Sequence, residues 1–133
     1  MEATEVAIKR FDNIGIACKD AKRTHQFYTE MLGCEAERLA EGATSFGASI
    51  ADVAFYIFET SATNEVCRDN WTFTNPVCID HLAFDSDDYE ATLAELESKG
   101  VTWVGDSVGD PGGFRYRAFP DPDGNMIYVI HKG

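Results

Sequence analysis

The chain is short of basic residues. Lys and Arg together number 11 against 23 Asp and Glu, a formal charge of −12. A phosphate backbone is bound by a basic footprint, so nucleic acid is excluded as the expected partner, and an anionic membrane surface with it. Long apolar runs are missing as well: none approaches the ~18 residues that a membrane span needs. The start, Met1-Glu2-Ala3-Thr4-Glu5, is acidic and has no apolar stretch, unlike a secretory signal. Cysteine is sparse. Cys18, Cys34, Cys67 and Cys78 contain no C-x-x-C pair, which argues against a thiolate zinc site. With no export signal they read as reduced, packed thiols of a cytoplasmic protein. There is no G-x-S-x-G elbow of a hydrolase. Asp110-Pro111-Gly112-Gly113 is too short for a phosphate loop and opens no helix.

What remains is a 133-residue chain of even composition, the size of one domain. It is long enough to bury a core without disulfides. Its most informative feature is an internal repeat. Asp12-Asn13-Ile14-Gly15-Ile16 matches Asp80-His81-Leu82-Ala83-Phe84 at an offset of 81 − 13 = 68 residues. An acidic helix start follows each copy. Asp20 can cap a first helix carrying Thr24, Phe27, Tyr28, Met31 and Leu32 on one face, ended by Gly33. Asp85 or Ser86 can cap a second with Tyr89, Leu93 and Leu96, closed by Lys99-Gly100.

Short strand patterns follow each helix. They are Cys34–Ala40, Ala43–Gly47 and Val53–Thr60 in the first half, and Val101–Val104, Phe114–Phe119 and Met126–His131 in the second. Glu41-Gly42, Asp110-Pro111-Gly112-Gly113 and Asp121-Pro122-Asp123-Gly124-Asn125 mark the turns. The last has the look of a calcium loop but lacks its closing acid, since Lys132 stands there, so it reads as a turn. Each half is therefore β-α-β-β-β, and the class is α+β. The expected layout is one domain over 1–133, with module 1 at about 6–60, a linker at 61–77 and module 2 at about 78–131.

Strand alternation sorts the candidate site residues. His81 opposes Leu82 and Phe84, which should lie under the helix, so it points to the other face. Tyr56 with Phe58, and Tyr128 with Met126 and Ile130, share that side. Aromatic walls with a few polar tips suit a small-molecule pocket. Arg115 and Arg117 alternate with Tyr116, and alternation alone leaves open which set faces inward. Inward arginines, Arg117 among them, would select a carboxylate or phosphate. Trp71, Phe73 and Trp103 could line a groove or a dimer contact.

These motifs resemble those of the vicinal oxygen chelate superfamily, the glyoxalase, bleomycin-resistance and dioxygenase proteins. The resemblance rests on Phe11–Ile16, on Phe27-Tyr28-Thr29-Glu30-Met31-Leu32-Gly33, on Ile79–Phe84, and on Phe119-Pro120-Asp121-Pro122-Asp123-Gly124-Asn125. It implies two tandem βαβββ modules forming a cup-shaped mixed sheet, often in a homodimer. It also implies a divalent metal held from the first and last strands of each module, here Asn13, Tyr56, His81 and Tyr128. A neutral amide, two phenols of ordinary pKa near ~10 and one imidazole make a poor set for such an ion. The fallback ligands are His81 and Glu59. The expectation is a metal-free small-molecule binding protein of the bleomycin-resistance kind, binding a drug or natural product. Its ligand residues would be Asn13, Tyr56, Phe58, Trp71, His81, Arg117 and Tyr128. The alternative is a glyoxalase- or dioxygenase-like enzyme, a lyase or isomerase. It would use His81 as general base and Tyr128 as acid, or one divalent metal in an irregular site.

Overall fold

The computed structural model describes residue 8, residues 10–62 and residues 79–133. The expected linker falls outside this range except for its first two residues. Trp71, Phe73, Cys67 and Cys78 also lie outside the described residues.

The elements run β1 (Ile14–Cys18), α1 (Ala21–Glu30), β2 (Glu35–Ala36), β3 (Ser45–Ile50), β4 (Val53–Glu59), then β5 (His81–Asp85), α2 (Tyr89–Ser98), β6 (Val104–Gly109), β7 (Arg115–Pro120) and β8 (Met126–His131). Two four-stranded mixed sheets result, ordered β1-β4-β3-β2 and β5-β8-β7-β6. In each, the first strand runs parallel to the last and the remaining pairs are antiparallel. The repeat survives at the level of register: Gly15 faces Tyr56 across β1 and β4, and Ala83 faces Tyr128 across β5 and β8.

The helices form where caps and apolar faces coincide. Asp20 accepts from the Arg23 N–H at 3.2 Å at the start of α1. Glu59 adds a second acceptor there, taking the Ala21 N–H at 2.8 Å. In α2 the cap is Asp88, which accepts from the Ala91 N–H at 3.1 Å, and neither expected residue serves. Ser86 is drawn away by its hydroxyl bond to Thr92 at 2.6 Å, and Asp85 closes β5. Gly33 and Gly100 end both helices with φ of +73° and +92°, a conformation that only glycine adopts at no steric cost.

Strand limits shift where tertiary packing overrides local pattern. The segment Cys34–Ala40 pairs only over Glu35–Ala36, and the expected Ala43–Gly47 strand runs instead over Ser45–Ile50. The expected strand at Val101–Val104 lies at Val104–Gly109. Val101 and Trp103 are spent on the core beneath α2, and the pairing with β7 slips between Val104 and Val108.

One face of each sheet is committed to a helix. Ile16, Cys18, Phe46, Ala48, Phe55 and Ile57 pack with Tyr28 of α1. Phe119, Ile127 and Val129 pack with Tyr89, Leu93 and Leu96 of α2. Phe27, Leu32, Leu82 and Phe84 touch both clusters and make one continuous core. Beside it lies a cleft of about 210 Å³ with Leu32, Phe84 and Leu96 in its wall. Its rim groups bond one another, Glu95 to Lys99 at 3.1 Å and Ser86 to Thr92.

The Asp121–Asn125 turn ties the modules together. Asp121 is 4% exposed. Its Oδ2 accepts from the Tyr28 hydroxyl at 2.8 Å and from Asn125 Nδ2 at 2.9 Å. Its Oδ1 accepts from the backbone N–H groups of Asp123 and Asn125, both at 2.9 Å. Burial pushes the Asp121 carboxyl up, and the four donors pull it back only in part. Burial, then the Asp121 charge, raises the Tyr28 phenol far above its ordinary value.

Tyr28→Phe removes one of these donors from a buried carboxylate and should cost about 1–3 kcal/mol in urea unfolding. The pH dependence follows from Asp121. Its folded pKa lies above its unfolded value, so between the two the native state holds the extra proton. The contribution of this group therefore declines as pH rises from about 4 towards the raised value, then stays level. Unfolding of wild type and Asp121→Asn across that window should show the wild-type advantage shrinking with pH. A widening advantage would contradict the assignment.

Candidate functional site

The faces turned away from the helices are where uncommitted chemistry collects. On the first sheet this open face carries Gly15, Ala17, Tyr56 and Phe58. Tyr56 is 49% exposed, and its ring stacks on Phe58 with centroids 5.6 Å apart. A Cβ on Gly15 would sit 3.7 Å from the Phe58 ring, so the small residues of β1 leave the two aromatic rings room. Asn13 stands one residue before β1, in step with Gly15. Its Nδ2 donates to Asp12 Oδ2 at 2.7 Å.

On the second sheet the open face carries an aromatic ladder. The His81 ring lies on Tyr128 with centroids 3.8 Å apart and planes 4° from parallel. Tyr128 lies on Tyr116 at 4.9 Å and 1°. Three strands, β5, β8 and β7, thus supply one rung each. Ala118 and Met126 pack around Tyr128, with Val104 and Ile130 alongside. Asp80 Oδ2 sits 2.8 Å from His81 Nδ1, and the carboxylate makes that nitrogen the protonated one.

Burial first, then the Asp80 charge and Tyr116, push the Tyr128 phenol up to about 12. Burial also raises Tyr116. Both phenols are protonated at neutral pH, so neither supplies the anionic oxygen that a divalent cation wants. Glu59, the fallback ligand, is engaged at the N-terminus of α1, on the helix side. Among the described residues no three His, Cys, Asp or Glu side chains converge. The donors present do not fit the divalent ion that the resemblance implies.

Of the expected site residues, His81 and Tyr128 come together in one stack, and Tyr56 and Phe58 in another. Asn13 holds the place of His81 in the first module. Arg117 belongs elsewhere. It pairs with Val129, a helix-side residue, stacks 4.6 Å from the Trp103 ring, and donates Nε–H to the Gly105 carbonyl at 3.0 Å. Arg115 takes the same side, over Tyr89 at 4.4 Å and bonded to Glu90 at 2.8 Å. The residues missing from the expected set are Tyr116, Asp80 and Asp12. The phase of β7 fixes Tyr116. Phe119 pairs with Ile127 beneath α2, and alternation then puts Tyr116 on the open face.

The chain belongs to the glyoxalase/bleomycin resistance protein/dioxygenase superfamily, whose family model matches residues 10–129. It is 28% identical over 128 residues to the uncharacterized protein YwbC of Bacillus subtilis (strain 168), covering 93% of this chain and 98% of that protein. Among solved structures, a glyoxalase family protein from Enterococcus faecalis superposes with a TM-score of 0.73 at 22% identity, over 94% of this chain and 99% of that one. TnmS3, an antibiotic binding protein from Streptomyces sp. CB03234, superposes with a TM-score of 0.68 at 22% identity, over 97% and 100%. At these identities the structures establish the fold, two βαβββ modules of the glyoxalase type.

Tyr116→Ala tests the ladder. Without that ring Tyr128 loses cover and a neighbouring phenol, so its pKa should fall from about 12 towards its ordinary value. A spectrophotometric titration of the tyrosines reads this directly. An unchanged titration would show that the two rings are not coupled.

Proposed function

We propose that this chain is a metal-free binding protein for a small aromatic molecule, a drug or natural product, taken up on the open faces of its sheets. The observation that supports this reading best is the ladder of His81, Tyr128 and Tyr116. Flat parallel rings make a surface for stacking another ring. Asn13, Tyr56, Phe58, His81 and Tyr128 would contact the ligand, with Tyr116 added and Arg117 left out. Trp71 keeps its proposed role, outside the described residues. The likeness to an antibiotic binding protein of the same fold agrees with this reading. The working form would be a cytoplasmic homodimer. Phe11 and Ile79, equivalent in the repeat and 73% and 74% exposed, are apolar surface for such a contact.

A second reading draws on one observation, the Asp80–His81 bond at 2.8 Å. A histidine oriented by a carboxylate is how a general base is built. In that case His81 would take a proton and Tyr128 would return one, in an isomerase or lyase.

Thermal unfolding against a panel of aromatic antibiotics tests the proposal. A ligand that binds only the folded state stabilises it by about 2.7 kcal/mol at 100 times its Kd. At least one aromatic compound should raise the Tm, and His81→Ala should reduce the shift. No shift with any of them would contradict the binding reading. Stabilisation by Ni²⁺, Zn²⁺, Mn²⁺ or Fe²⁺ at one ion per chain would contradict the metal-free form. Turnover that is lost in His81→Ala while binding persists would decide for the enzyme.

A further inference from the structure

The open face of the first sheet holds a carboxylate that comes from outside its strands. β2 pairs with β3 at Glu35–Ser49 and Ala36–Ala48 and then leaves the sheet. At that point Glu37 folds its side chain back across Gly47. Its Oε1 accepts the Gly47 N–H at 2.6 Å, and its own N–H donates to the Gly47 carbonyl at 3.0 Å. A Cβ on Gly47 would lie 3.0 Å from that same Oε1. Phe46 and Ala48 belong to the helix-side core, so the Cβ would point to the open face. The Glu37 carboxylate therefore stands on the open face, in the space that a side chain at Gly47 would fill.

Tyr56 is the next residue across. Gly47 turns both its backbone groups to Glu37, so its pairing with Tyr56 is of the non-hydrogen-bonded kind. In such pairs the facing residues stand closest, with Cα atoms about 4.5 Å apart. The half-exposed Tyr56 ring, stacked on Phe58, thus has a carboxylate beside it and no side chain at Gly47 between them. Glu37 spends one oxygen on Gly47. Among the described residues its Oε2 has no partner. Glu35, level with Ser49 on the same side, adds a second acid. The four strands of this sheet contain no Lys or Arg.

A carboxylate oxygen accepts and never donates. The face of an aromatic ring is the negative end of its quadrupole. Both attract a cation and neither suits an anion. An ammonium group satisfies both together, with one N–H on the carboxylate and its charge against the ring.

We propose that the open face of the first module receives a protonated amine carried by the ligand, held by Glu37 Oε2 against the Tyr56 and Phe58 rings, and that Glu37 is a specificity-determining residue of the site. This rests on the binding reading above, and it makes the ligand an aromatic compound that bears an amine.

Three naphthalene probes of one shape test it: 2-naphthylmethylamine as cation, 2-naphthalenemethanol as neutral, and 2-naphthoate as anion. Each is titrated into ¹⁵N-labelled protein at neutral pH and about 0.15 M salt, where distant charges are screened beyond roughly 8 Å. The amide signals of Gly15 and Gly47, on either side of Tyr56, give both the place and the Kd. The amine should bind about tenfold more tightly than the alcohol, the difference between a charged and a neutral hydrogen bond, and the acid most weakly. Glu37→Gln keeps an oxygen for the Gly47 N–H and removes the charge. It should abolish most of the amine's advantage and leave the alcohol's Kd unchanged. Asp106→Asn, which removes an exposed acid beside Arg117, should leave the advantage intact. The amide spectrum checks the fold of each variant, and the wild-type ranking stands independently of them. Equal Kd values for amine and alcohol in the wild type would overturn the assignment and leave the binding reading standing. So would an amine that binds while Gly15 and Gly47 stay unmoved. An advantage that survives Glu37→Gln, or falls as far in Asp106→Asn, would overturn the assignment as well, making it an effect of the −12 charge. Binding by none of the three would contradict the binding reading itself, and the assignment with it.

Discussion

The carboxylate of Asp121 holds the two halves of this molecule in one arrangement. It sits in the turn between the last two strands of module 2 and accepts from Tyr28 in the helix of module 1. Three more donors from its own turn satisfy the remaining lone-pair directions. A buried charge without such partners would be prohibitively costly. Once it is satisfied, neighbouring contacts fall into place. Asp123 takes the Lys19 N–H and the Arg23 guanidinium, both at 3.3 Å. The Phe27 ring meets Phe119 at 6.1 Å. The helix side of both sheets is then filled by one shared core, and the opposite sides are left to do something else.

What those sides do follows from which residues the fold sends there. Alternation along each strand divides the chain's chemistry cleanly. The aliphatic residues Ile16, Ile57, Ile127 and Val129 and both strand arginines go to the helix side. Stacked aromatics, an amide and an imidazole go to the open side. The divalent ion that the resemblance implies finds no matching donors at these positions. Glu59 is bound to the start of α1, and protonated phenols occupy the last-strand positions. The open faces present flat rings with polar tips.

Much of this was legible from the residues alone. The 68-residue repeat fixed the module count, and its register reappears in the Gly15–Tyr56 and Ala83–Tyr128 pairs. The D-P-D-G-N run read correctly as a turn. His81, Tyr56, Phe58 and Tyr128 were sorted to one side because Leu82, Phe84, Ile57 and Ile127 had to lie under helices. The phase of β7 was not legible. Its two arginines alternate with aromatics, so alternation leaves open whether Arg117 or Tyr116 faces inward, and only pairing with β8 decides between them. Cap choice failed at α2 for a similar reason. Four successive capping residues compete from Asp85 to Asp88, and the Ser86–Thr92 bond settles the matter through the side chains.

The most direct test of the account maps where an aromatic ligand goes. Side-chain NMR signals of His81, Tyr128 and Tyr116 are followed while an aromatic ligand found by the thermal-shift panel is titrated in, with Trp103 and Phe119 on the helix side as internal references. The account predicts large shifts for the three ladder rings and for Tyr56 or Phe58, with the references still. Shifts concentrated on Trp103 and Phe119, with the ladder unmoved, would contradict it.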